Sequence, residues 1–128
     1  MEFNGKVLIV DDEAHIRRYL SLIMRKFGRP TVVEASNGVE ALAAYTEHRP
    51  DLVLMDVNMP VMDGLQALEQ LQRTQPESVV VMLTSLATRS IVERCVDLGA
   101  VNFVRKDTPK ETIASVLAET IEEFFEVA

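Results

Sequence analysis

The sequence predicts an α/β fold: a doubly wound, five-stranded parallel sheet of order 2-1-3-4-5 with helices on both faces. Three observations carry this expectation. Five short apolar runs alternate with five segments of helical periodicity, the pattern of a parallel sheet built from strand–helix units. The first, third and fourth runs are the most apolar, as strands buried on both faces should be, whereas the second and fifth are shorter or more polar, as edges should be. Two of the central runs also end in acid, at Asp11-Asp12 and at Asp56. That puts carboxylates beyond the carboxyl ends of the first and third strands, the switch point where such sheets bind ligands.

The elements follow in order. Val7-Leu8-Ile9-Val10 is a strand too apolar to have a solvent face. Ile16, Leu20, Ile23, Met24 and Phe27 then recur at helical spacing, and Gly28 and Pro30 end the helix. Thr31-Val32-Val33 is a shorter strand. Asn37, with Glu40 three residues on, predicts a capping box opening a helix that runs to about His48. Leu52 to Met55 is the third strand, followed by a loop to Gly64 and a helix marked by Leu65, Leu68 and Leu71. Val79 to Leu83 is the fourth strand, and Ile91, Cys95 and Leu98 share one face of the next helix. Val101 to Val104 is the fifth strand. Thr108-Pro109 opens the last helix, with Pro109 at the first helical position and Glu111 closing a second capping box. Ile113, Val116, Leu117, Ile121 and Phe124 form its apolar stripe. The adjacent Phe124 and Phe125 cannot both face the core equally, which leaves one for a partner surface or a frayed end.

Size and composition bound the function. The chain has 128 residues, 48% hydrophobic and 26% charged, which predicts a single domain over 1–128 with no room for an output domain. No apolar stretch approaches the roughly 18 residues needed to span a membrane, and the first residues lack a signal-peptide layout. One cysteine, Cys95, excludes an internal disulfide framework and reads as core, and no Cys/His cluster suggests zinc. A cytoplasmic protein without membrane insertion is expected. Net charge is −7 and the 13 Lys and Arg read as dispersed, which argues against direct nucleic-acid binding.

Unpaired buried charge is expensive, so packing alone does not put Asp11, Asp12 and Asp56 at two strand mouths. A divalent cation does: Mg2+ keeps several waters and is held by a few carboxylates together with a substrate phosphate. An aspartate can itself be a nucleophile and form an acyl phosphate, whose oxygens then need a cation and hydrogen-bond donors. Thr84 stands at the end of the fourth strand with a hydroxyl, and Lys106 at the end of the fifth with an ammonium. Each has a plainer role to weigh. Asp11 or Asp12 alone would serve as a helix N-cap, Asp56 as a turn former, and Thr84 as a cap, although Thr88 fits that place better. Lys106 would otherwise be a solvated surface lysine and Phe103 edge-strand packing. Pro60 and Gly64 read as loop geometry, and His15 and His48 as surface residues.

The segments Val7-Leu8-Ile9-Val10-Asp11-Asp12-Glu13, Asp51-Leu52-Val53-Leu54-Met55-Asp56, Met59-Pro60-Val61-Met62-Asp63-Gly64, Leu83-Thr84-Ser85 and Gly99 to Lys106 carry a resemblance. Together, and in this order, they resemble the receiver domain of bacterial two-component response regulators, the CheY-like family with its flavodoxin-like fold. The resemblance implies that Asp56 accepts phosphate from a sensor histidine kinase or a phosphotransfer protein. It implies Mg2+ on Asp11, Asp12, Asp56 and the backbone carbonyl of Asn58. Thr84 and Lys106 would contact the phosphoryl group, and Phe103 occupies the family's aromatic switch position. The chain would be no enzyme beyond its own phosphorylation and dephosphorylation, with Asn58 and Leu86 tuning water access. Its target-binding face would be the fourth helix, fifth strand and fifth helix, carrying Arg89, Ser90, Arg94, Arg105 and Lys110 toward an acidic downstream protein.

One position departs from the family. Proline usually follows the lysine, whereas here Lys106 precedes Asp107. A cis bond before a non-proline residue costs about 3–4 kcal/mol, so either a trans bond with a shifted loop or a strained cis bond is expected. Asp107 also brings a carboxylate near the lysine. A receiver-like interaction module working without phosphorylation is therefore the alternative reading. An aspartyl-nucleophile phosphohydrolase would need its nucleophile on the first strand and additional cap sequence. A flavin or nucleotide protein would need a phosphate loop where Asp11-Asp12-Glu13 stands.

Overall fold

The computed structural model describes residues 2–86 and 88–125. Strands β1 (Lys6–Val10), β2 (Thr31–Ala35), β3 (Leu52–Asp56), β4 (Val80–Thr84) and β5 (Asn102–Arg105) form one parallel sheet of order β2-β1-β3-β4-β5, as expected. Helices α1 (Ala14–Met24), α2 (Gly38–His48), α3 (Gly64–Thr74), α4 (Arg89–Asp97) and α5 (Lys110–Phe125) connect and cover it.

Side-chain alternation along the strands divides the core into two layers. Leu8, Val10, Val53, Met55, Val80 and Met82 meet Ala41 and Tyr45 of α2, Leu68 and Leu71 of α3, and Cys95 of α4. Val7, Ile9, Leu52, Leu54, Val81 and Leu83 point the other way, onto Leu20 and Ile23 of α1 and Ile113, Leu117 and Ile121 of α5. A strand covered on both faces has no polar side, so β3 and β4 are buried along their whole length. The edges β2 and β5 are only partly covered. This layering leaves the carboxyl ends of β1 and β3, flanked by β4, as the place where polar groups converge.

Several local expectations are corrected. β2 extends to Ala35, while β4 and β5 end one residue later than the apolar runs suggested. Asn37 caps α2 by accepting from the Glu40 N–H, but Glu40 returns its carboxylate to the N–H and hydroxyl of Ser36. The box is thereby closed one residue early. Thr108 does not cap α5: its hydroxyl donates to the Arg105 carbonyl, and the Pro109 carbonyl accepts from Ile113. The reciprocal box belongs instead to Asp63 and Gln66 at the start of α3. Phe124 leaves the α5 stripe and is exposed, while Phe125 packs edge-on against Phe3 with ring centroids 5.3 Å apart.

The basic residues are also less dispersed than they read. Arg17, Arg18, Arg25, Lys26 and Arg29 lie on α1, the 3-10 turn Arg25–Phe27 and the loop after it, in a stretch from Ala14 to Val33 with no acid.

Candidate functional site

β1 runs one residue short of Asp11, which is fully buried, and Asp12 follows it into solvent. β3 ends at Asp56, which is 3% exposed. One carboxylate oxygen from each of Asp11, Asp12 and Asp56 lies within 4.8 Å of the others. From β5, Lys106 reaches over this group, its Nζ 2.7 Å from Asp11 Oδ2 and 3.2 Å from Asp56 Oδ2. The structure thus brings together Asp11, Asp12, Asp56 and Lys106, four side chains from three strand ends.

The backbone explains how each is held. Asp11 Oδ1 accepts from the Glu13 N–H at 2.9 Å, a local turn rather than an N-cap of α1. The Lys106 N–H donates to the Thr84 carbonyl at 2.8 Å, fixing the lysine where β5 leaves the sheet. Thr84 itself is fully buried, and its hydroxyl is held in a turn, donating to the Leu86 carbonyl and accepting from the Leu86 N–H. Its backbone therefore joins the site while its hydroxyl is engaged elsewhere. Thr88, as expected, caps α4 by accepting from Ile91. Asn58 is exposed, and its N–H donates to Asp56. Phe103 is half-buried against the layer containing α4.

Burial pushes the Asp56 carboxyl up, and the neighbouring Asp11 charge pushes it further; Lys106 and the Asn58 N–H pull it back, leaving it at about 6. Burial works against the Lys106 ammonium, but contact with Asp11 and the charge of Asp56 outweigh it and raise its affinity for the proton. Lysine stays charged, and Asp56 ionises above about pH 6. Asp11 Oδ2 is fully buried and accepts no well-oriented hydrogen bond, despite its closeness to Lys106. Three convergent carboxylates, one with a buried oxygen held by Lys106 alone, are the hard-oxygen donor set that Mg2+ takes.

The Lys106–Asp107 bond is trans, as no cis peptide occurs among the described residues. The expected interference from Asp107 is corrected: its two carboxylate oxygens take the Arg105 guanidinium at 3.0 and 2.7 Å, and Lys106 stays on the acids. His15 is exposed beside Glu13, away from any ligand role, and Cys95 is buried in the core.

Two residues escaped sequence reasoning. Arg17 donates to the Asp11 carbonyl at 2.7 Å and pairs with Glu34 at 2.8 Å, so it clamps the backbone beside the acids. An arginine in the first turns of a helix opposes the macrodipole, and that was the available signal. Gly64 is more than loop geometry, because a Cβ there would collide with the backbone carbonyl of Asp56. Gly64→Ala is expected to destabilise the fold by about 1–3 kcal/mol and to displace Asp56; a thermal melt with a Mg2+ titration checks both effects.

The Response regulator receiver domain profile matches residues 7–118. The chemotaxis protein CheY of Bacillus subtilis is 34% identical over 116 residues, covering 91% of this chain and 97% of that protein. A protein-glutamate methylesterase/protein-glutamine glutaminase of Rhodospirillum rubrum is 43% identical over 110 residues, which cover 85% of this chain and 29% of that one. In structure, CheY in the CheX-CheY-BeF3-Mg2+ complex of Borrelia burgdorferi superposes with a TM-score of 0.84 at 27% identity, covering 95% of this chain and 90% of that chain. Carboxylates at the ends of β1 and β3, a lysine after β5 and a match across most of the sequence lead to one assignment: the chain belongs to the receiver domains of two-component response regulators.

Proposed function

We propose that this receiver domain is a phosphoacceptor switch in which Asp56 takes a phosphoryl group from the phosphohistidine of a sensor histidine kinase or phosphotransfer protein. The observation that carries the reading is the placement of the buried Asp56 carboxylate 3.2 Å from Lys106 and beside Asp11 and Asp12. The association of a related CheY with BeF3 and Mg2+ supports it. Mg2+ bound by Asp11, Asp12, Asp56 and the Asn58 carbonyl would neutralise charge on the phosphoryl oxygens.

The chain's own residues do the rest. An ionised Asp56 oxygen bonds to phosphorus as the bond from phosphorus to the histidine nitrogen breaks, and the electron pair of that bond leaves with the imidazole. Lys106 meets a phosphoryl oxygen with its ammonium. Thr84 exchanges its hydrogen bonds to Leu86 for one to the phosphoryl group, and Phe103 repacks from its half-buried position. The result is a population shift between two packings of α4, β5 and α5. Arg89, Ser90, Arg94, Arg105 and Lys110 are exposed on that face and suit an acidic downstream protein. The pairing of Asp107 with Arg105 leaves Lys106 on the acids, which supports this reading over a receiver-like module that works without phosphorylation.

Catalysis is confined to the domain's own phosphorylation and dephosphorylation. The chain spans only 29% of the methylesterase it matches, so that protein's activity is not transferred to it. Among the described residues no helix is long and apolar enough to cross a membrane, in keeping with a cytoplasmic signalling role. Incubation with Mg2+ and a small phosphodonor, followed by intact mass measurement, should give one phosphate adduct. Chelation of Mg2+ or Asp56→Asn should abolish it; an adduct that survives both would sink the proposal.

A further inference from the structure

The acid-free stretch Ala14 to Val33 carries five of the 13 basic residues, while the other eight are set against all 20 acids. The acidic protein therefore gathers a local excess of positive charge on α1 and the turn after it. Within it, a groove of about 480 Å³ lies between α1 and β2, lined by Arg17, Arg18, Ser21, Leu22, Arg25 and Glu34. Arg17 and Glu34 neutralise each other across its wall at 2.8 Å. Arg18 and Arg25 are exposed and have no acidic partner among the described residues. Leu22, 56% exposed, sits one helical turn from each. Two free guanidinium groups thus flank an apolar side chain that its own fold leaves uncovered.

We propose that this groove is the docking site for a short acidic segment of a partner protein, whose carboxylates meet Arg18 and Arg25 and whose apolar side chain covers Leu22. The site is distinct from the α4-β5-α5 face and does not depend on the chemistry of Asp56. Charge complementarity selects an acidic occupant and speeds its encounter. The shape of the patch selects a short protein segment over other polyanions. A nucleic-acid backbone has no apolar group for Leu22. A segment confined to the groove stays within a Debye length, about 8 Å at physiological salt, of the favourable charges.

The test is fluorescence anisotropy with a labelled peptide of four Glu-Glu-Leu repeats, a matched Glu-Glu-Ser peptide and a short DNA duplex. The expected result is saturable binding of the Leu peptide, weakened by salt and weakened about tenfold or more in Arg18→Glu/Arg25→Glu. Leu22→Ser should erase the preference for the Leu peptide over the Ser peptide, and Arg73→Glu on α3 should change nothing. These positions are exposed, and thermal melts of the variants confirm folding. Absence of saturable binding, unchanged affinity in the double variant, or tighter binding of DNA regardless of Leu22 would overturn the proposal. So would self-association of the free protein that the double variant abolishes, which would assign the groove to a second copy.

Discussion

Asp56→Asn is expected to raise the thermal stability of the protein at neutral pH and to lose that advantage near about pH 4. In the folded state Asp56 holds its proton up to about pH 6, against an ordinary value of 3.8. The native state therefore binds this proton more tightly than the unfolded chain, and stability from this group falls as pH rises between those values. Above about pH 6 the ionised carboxylate costs roughly 2–3 kcal/mol, the size of that displacement. Below the ordinary value both states are protonated and the cost is gone. Asn removes the ionisation and with it the cost, so a melt series from acid to neutral pH should show wild type and variant diverging by several degrees. Mg2+ should close most of that gap, because a ligand bound at 100 times its Kd adds about 2.7 kcal/mol to the native state that still has its full donor set. Equal melts at neutral pH would mean that burial and Asp11 do not strain Asp56.

Lys106→Met carries the other large effect. The ammonium is the only cation within reach of both Asp11 and Asp56 among the described ion pairs. Without it, two buried carboxylates face each other, and removing one partner from such a cluster costs roughly 3–5 kcal/mol. Protonation of Asp56, with its pKa driven above about 6, relieves part of that cost. The variant should therefore be destabilised at neutral pH without Mg2+ and largely restored with it. Phosphorylation should still fall by about 10²–10³-fold, because Mg2+ does not replace a donor aimed at the phosphoryl oxygens. Urea melts with and without Mg2+, and the rate of adduct formation by mass, separate the two roles. An unchanged rate with lowered stability would reduce Lys106 to a counter-ion.

The fold was legible because its strands are buried on both faces. Val7 to Val10, Leu52 to Met55 and Val79 to Leu83 could not be anything with a solvent side, and that fixed the centre of the sheet. The acids and Lys106 were legible as polar groups at the ends of those runs. What escaped depends on direction and neighbourhood rather than position. The Thr84 hydroxyl is turned into a local bond with Leu86, which no spacing reveals. Glu40 takes the N–H and hydroxyl of Ser36 together on one oxygen and the Asn37 side-chain amide on the other, leaving the Asn37 backbone N–H out of the box. The demand for glycine at Gly64 arises from contact with Asp56, a residue on another element. The basic groove was masked by the acidic total, since charge counted over a chain says nothing of how α1 gathers it.

In the proposed switch the signal is written on Asp56. Its most direct measurement is reductive trapping: phosphorylate the protein with Mg2+ and a small phosphodonor, reduce the acyl phosphate with borohydride, and map the product by peptide mass. Homoserine is expected at Asp56 and nowhere else, dependent on Mg2+. Homoserine at Asp11 or Asp12, or an unmodified Asp56 in protein that carries phosphate, would contradict it.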